Sequence, residues 1–127
     1  MLVQGASSGL GKEIALRYAE RQCPMVVSGR NEKELISLVE HCKQKFGNSS
    51  VFYKIAEAAS ESDAKDLVEF TLEKFGKIDI LVLGAGIAAH SFFRDFEDLD
   101  AFKKLMEVNF MGYLYLCRYA LDTLRKN

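Results

Sequence analysis

Apolar and polar residues along this chain alternate between two periods, and the alternation reads as strand, helix, strand, helix. Leu2 and Val3 open an apolar strand that Gly5 cuts short, and the next segment puts Leu10, Ile14, Ala15 and Tyr18 at helical spacing. Pro24 leads into Met25-Val26-Val27-Ser28, a short continuous apolar run of the kind buried on both faces of a parallel sheet. Asn31 and Glu34 form a capping-box-like start for a second helix, with Leu35, Leu38, Val39 and Cys42 on one face and Gly47 as its stop. Val51 to Ile55 supplies a third strand. Ser60 or Ser62 caps a third helix that turns Leu67, Val68, Thr71 and Leu72 inward and ends at Gly76. Ile78 to Leu83 reads as a fourth strand. After Gly84-Ala85-Gly86, a long helical pattern from about Asp98 carries Phe102, Leu105, Met106, Phe110, Tyr113, Cys117, Leu121 and Leu124.

Strictly alternating strands and helices require parallel pairing, right-handed crossovers and helices on both faces of one sheet. The expectation is an α/β fold with a doubly wound parallel sheet in the order 3-2-1-4, truncated after the fourth strand. One proline and no low-complexity tract leave no linker, so residues 1–127 read as a single domain. The free edge of the fourth strand and the apolar last helix predict a partner, a second copy in a homo-oligomer.

Charge changes this picture by exclusion. Lys and Arg total 17 against 18 Asp and Glu, a net charge of -1, so no global basic field for nucleic acid is present and any anion site is local. The apolar runs are far shorter than the roughly 20 residues of a membrane span. Cys23, Cys42 and Cys117 lack the spacing of a redox or metal pair and read as free, mostly buried thiols, which points to the cytoplasm. His41 and His90 stand alone, so no metal site is expected.

The chemistry begins at Gly5-Ala6-Ser7-Ser8-Gly9-Leu10-Gly11, between an apolar strand and an amphipathic helix. Glycines there let the backbone turn tightly and let a pyrophosphate approach the N–H groups and positive dipole end of the helix, which implies a dinucleotide. Ser7 and Ser8 add hydroxyl donors. About 20 residues on, an acid would bind a ribose 2′-hydroxyl, whereas an arginine suits a 2′-phosphate. The position holds Ser28-Gly29-Arg30-Asn31, and Arg30 favours NADP(H).

The glycine loop, Asp79-Ile80-Leu81-Val82 with Ala85-Gly86 after it, and Val108-Asn109-Phe110 with Gly112 together resemble the short-chain dehydrogenase/reductases, in that family's order. The similarity covers nearly the whole chain but only the first half of a typical member, and Met106-Glu107-Val108-Asn109-Phe110 looks most like the hydroxysteroid dehydrogenase branch. The resemblance implies a Rossmann-like fold and an NADP-dependent oxidoreductase acting on a carbonyl or alcohol. It implies that Gly5, Ser7, Gly9, Leu10 and Gly11 wrap the pyrophosphate, that Arg30 binds the 2′-phosphate and that Ala85-Gly86 lines the adenine-ribose side. Asn109 matches the catalytic asparagine, which kinks the long helix and holds a water. The remaining catalytic members, a serine and a Tyr-x-x-x-Lys pair, have no counterpart here. Tyr113, Tyr115 and Tyr119 precede that position, lack the lysine and read as core or interface aromatics. The chain departs from the family pattern at Gln4, at Leu83-Gly84 in place of paired asparagines, and at Ala56-Glu57, where Glu57 stands near the usual adenine-binding aspartate. The chain alone is therefore expected not to turn over; the alternative is a non-catalytic product that binds nucleotide or oligomerises.

Overall fold

In the computed structural model, which describes residues 1–126, helix boundaries follow the capping chemistry closely. The helix α2 (Glu32–Phe46) starts where Asn31 Oδ1 accepts from Glu34 N–H at 3.2 Å and ends at Gly47 in the left-handed region, φ 66°. Only half of the expected capping box forms, because the Glu34 carboxylate points to Lys12 Nζ at 3.8 Å. Of the two candidate caps for α3 (Glu61–Phe75), Ser60 is the one used: its Oγ accepts from Asp63 N–H at 3.2 Å. The first helix, α1 (Gly9–Glu20), follows Ser8, which is extended and makes no side-chain cap bond.

Four parallel strands, β1 (Leu2–Gln4), β2 (Met25–Gly29), β3 (Val51–Ile55) and β4 (Leu81–Leu83), lie in the order β3-β2-β1-β4. This is the order the alternation predicts, and the fold is a four-stranded Rossmann-like doubly wound sheet. Leu2, Val3 and Gln4 stand opposite Val26, Val27 and Ser28 on one side and Leu81, Val82 and Leu83 on the other. The fourth strand is shorter than its apolar run. Leu2 N–H reaches Ile80 O at 2.9 Å, while Ile78 N–H is drawn instead to Thr123 Oγ1 at 3.0 Å, so the ladder starts only where β1 supplies a partner.

Two cores sandwich the sheet. On one face Val3, Met25 and Val27 pack against Ala15, Ala19, Leu35, Leu38 and Cys42 of α1 and α2. On the other, Leu2, Val26 and Ile78 pack against Ala64, Leu67 and Val68 of α3 and Leu116 and Ala120 of the last helix. Fully burying a side chain such as Leu35 or Leu116 is worth about 1.5–3 kcal/mol, so each layer holds its helices to the sheet.

Two helices bury only part of their apolar positions. Leu10, expected inward on α1, is 75% exposed, because the helix begins at Gly9 and its first turn stands free of the sheet. The long last helix is one run of three parts, α4 (Asp100–Met106), a π-helical turn (Glu107–Met111) and α5 (Gly112–Arg125). Its buried residues are Val108, Gly112, Leu116 and Ala120, whereas Met106, Phe110 and Leu121 of the expected apolar face are half or more exposed. Small residues let this helix approach closely: a Cβ on Gly112 would lie 2.5 Å from the carbonyl oxygen of Ala58.

Candidate functional site

The loop from β1 to α1 sits at the carboxyl ends of the strands and opens a cleft of about 1070 Å³ between β1, β2 and β4. Gly5 takes φ +74°, and a Cβ there would collide with the backbone of Gly84 and Ala85. Gly11 is buried behind the loop, where a Cβ would overlap the carbonyl of Gly5. These two positions accept only glycine: one by conformation and contact, the other by contact alone. The loop thereby lies flat on the neighbouring chain and leaves the first turn of α1 facing the cleft without a side-chain cap.

Most of the residues expected at the site line this one cleft: Gly5, Ser7, Ser8, Gly9 and Leu10 on the loop, Arg30 after β2, Glu57 after β3, and Ala85 and Gly86 after β4. Gly11 supports the loop from below. Ser7 Oγ is buried without a hydrogen-bond partner next to Gly29, and Gln4 Oε1 is likewise unpartnered at 6% residue exposure. Orphaned polar atoms at the floor of a cleft fit a polar ligand that completes them.

Charge around the cleft is mixed. Arg30 is exposed and makes no ion pair among the described residues, so its guanidinium is available. Lys12, missed by sequence reasoning, also lines the cleft and is drawn to Glu34. Glu32 accepts from Tyr53 Oη at 3.1 Å, and this bond raises the Tyr53 phenol above its ordinary value. Glu57 is held by its backbone: its N–H donates to Asp63 Oδ2 at 2.8 Å, a contact that fixes the loop after β3.

Asn109 sits in the π-helical turn beside Val108, which lines the cleft, and is itself set back from it. Its Oδ1 accepts from Ile87 N–H at 2.9 Å, and its Nδ2 donates to Ile87 O at 2.8 Å. Both ends of the side-chain amide thus bind one residue of the loop after β4. Tyr113, expected to be a packing aromatic, donates its hydroxyl to Ala85 O at 2.5 Å. Tyr115 and Tyr119 turn elsewhere: Tyr115 Oη lies 3.5 Å from Glu107 Oε2, and Tyr119 donates to Glu61 at 2.9 Å.

A parallel sheet with a glycine-bearing first turn, a cleft at the strand ends and an arginine after the second strand defines a nucleotide-binding α/β protein of the Rossmann type. More narrowly, residues 1–127 match the short chain dehydrogenase family, and the chain belongs to it. It is 33% identical over 127 residues to 11-beta-hydroxysteroid dehydrogenase A of Sesamum indicum, covering 100% of this chain and 36% of that protein. Among solved structures, it superposes with TM-score 0.91 and 25% identity on an alcohol dehydrogenase from the archaeon Thermococcus sibiricus complexed with 5-hydroxy-NADP, covering 98% of this chain and 52% of that one. L-sorbose reductase from Gluconobacter frateurii, complexed with NADPH and L-sorbose, matches with TM-score 0.90 and 26% identity over 98% of this chain and 47% of its own. The chain thus spans about a third to a half of the length of these relatives. No helix among the described residues is long and apolar enough to cross a membrane.

Proposed function

We propose that this chain is the NADP(H)-binding portion of a short-chain oxidoreductase acting on a carbonyl or the corresponding alcohol. One observation carries the reading: the uncapped start of α1, the unpartnered Ser7 Oγ and the unpaired Arg30 all border a single cleft. That donor set fits a dinucleotide with a 2′-phosphate. The relatives complexed with 5-hydroxy-NADP and with NADPH support it.

Bound NADPH supplies a hydride; the residues of this chain bind and orient it. The N–H groups of the loop from Gly5 to Gly9 and the first turn of α1 take the pyrophosphate, with Ser7 and Ser8 as hydroxyl donors and Leu10 as an apolar lid. Arg30 pairs with the 2′-phosphate. Glu57, Ala85 and Gly86 face the adenosine. Asn109 acts on the cleft through the loop it holds at Ile87. General acid catalysis needs a donor within hydrogen-bond reach of the substrate oxygen. No tyrosine here heads a Tyr-x-x-x-Lys pair, and the hydroxyls of Tyr113, Tyr115 and Tyr119 face Ala85, Glu107 and Glu61. We therefore expect binding without turnover.

Titration with NADPH and NADH, followed by the fluorescence of the reduced nicotinamide, tests both halves. Saturable binding with NADPH preferred is expected. Failure to bind either nucleotide overturns the cofactor reading, and NADPH-dependent carbonyl reduction by the purified chain overturns the turnover half.

A second reading, a non-catalytic role through self-association, is favoured by Met106, Phe110, Leu114 and Leu121, which are 46–56% exposed along the last helix. Light scattering at micromolar concentration decides it; a stable monomer counts against it.

A further inference from the structure

We infer that Tyr113 is a positioning residue of the cleft, setting the gap between the loop after β4 and the glycine loop by holding the Ala85 carbonyl. The inference rests on the cofactor reading above for its consequence, but its geometry stands alone. The loop 84–87 is sandwiched. On one side Gly84 and Ala85 lie so close to Gly5 that no Cβ fits there. On the other side two side chains of the last helix, four residues apart, reach alternate residues of the loop: Tyr113 to Ala85 O at 2.5 Å, and Asn109 to both backbone groups of Ile87.

The same turn of helix also touches the opposite wall. Gly112 packs against the Ala58 carbonyl, and Ala58 belongs to the loop after β3 that lines the cleft beside Glu57. One short helical segment therefore spaces two of the four loops that line the cleft. Of its ties, the one from Tyr113 is partly buried, whereas those from Asn109 are exposed. Removing the hydroxyl leaves the Ala85 carbonyl without its donor and frees the loop to drift off Gly5, which widens the cleft where the adenosine would lie.

The test is Tyr113→Phe, with Y115F and Y119F as controls on the same helix whose hydroxyls face away from the loop. Two readouts are taken: amide hydrogen exchange at Ile87, whose N–H is the one Asn109 accepts, and NADPH affinity by fluorescence titration. Y113F is expected to speed exchange at Ile87, to leave exchange in α1 and α2 unchanged, and to weaken NADPH about fivefold, the size expected for losing one hydrogen bond's worth of placement. Both controls should match the wild type in both readouts. A general loss of structure would instead raise exchange across α1 and α2 and lower the melting temperature. Unchanged exchange at Ile87 overturns the inference, and so does faster exchange with unchanged NADPH affinity. If the wild-type protein binds no NADPH, the cofactor reading fails, while the exchange arm still decides whether Tyr113 holds the loop.

Discussion

The two walls of the cleft are built in opposite ways. The wall formed by the glycine loop is fixed by what is missing: Gly5 and Gly11 let backbone lie on backbone, with no side chain between. The wall formed by the loop after β4 is fixed by what is added, two side chains that cross from a helix to hydrogen-bond the main chain at Ala85 and Ile87. The first mode leaves no slack, because a misplaced atom meets other atoms at once. The second is elastic at Ile87, where water can replace the two exposed hydrogen bonds from Asn109 at modest cost. A dinucleotide cleft made this way has one rigid wall against which phosphate is placed and one adjustable wall.

Breaking the rigid wall should have the largest effect. Gly11→Ala puts a Cβ onto the carbonyl of Gly5, and overpacking of this kind costs about 3 kcal/mol. It should be seen as a lowered urea midpoint together with lost NADPH binding; a midpoint equal to wild type would show that the wall yields. Asn109→Ala strikes the adjustable wall and should cost about 1–2 kcal/mol, because both bonds to Ile87 are solvent-exposed. A loss as large as that of G11A would erase the distinction between the walls. Arg30→Asp leaves both walls intact and changes only the mouth: NADPH should weaken by about tenfold relative to NADH, or about 1.4 kcal/mol, in parallel titrations. Equal loss of both nucleotides would remove Arg30 from the phosphate site.

The smallest effect concerns pH, where the helix carrying Asn109 and Tyr113 is anchored to α3. The Tyr119 phenol is raised above its ordinary value near 10, first by its hydrogen bond to Glu61 and then by desolvation. A raised phenol stabilises the folded state below the ordinary value, and that contribution fades as pH climbs from about 10 toward the raised value. Urea midpoints measured across that range should fall with pH in the wild type and fall less in Y119F; parallel slopes would show that the contact carries no linkage.

Much of this was legible in advance, for a physical reason. A glycine required by close approach, an asparagine cap at Asn31, a left-handed stop at Gly47 and apolar runs at β2 and β3 are local statements, and the sequence states them locally. What stayed hidden depends on distance. The apolar positions Met106, Phe110 and Leu121 of the last helix stand half or more exposed, and the buried line runs through Val108, Gly112, Leu116 and Ala120 instead. Hydrophobicity ranks glycine and alanine low, yet their smallness is what allows the helix to dock. The length of β4 was equally invisible, since its first residues answer to Thr123 and to the three-residue span of β1. Tyr113 was read as an aromatic for packing, because nothing in a sequence shows a hydroxyl 28 positions away from the carbonyl it binds.

The π-helical turn at Glu107–Met111 acts on the last helix as an inserted letter acts on a reading frame. An α-helix advances about 100° per residue, and a π turn accommodates one extra residue without breaking the rod. Everything before the turn is therefore out of phase with everything after it. Removing the one surplus residue between 107 and 111 would restore a plain helix and leave both lengths where they pack, Leu116 and Ala120 against α3 and Phe102 against Phe96, whereas removing a residue outside the turn would rotate one length by about 100° against the other. The turn is thus the one place on this helix where the count can fall by one without turning either face.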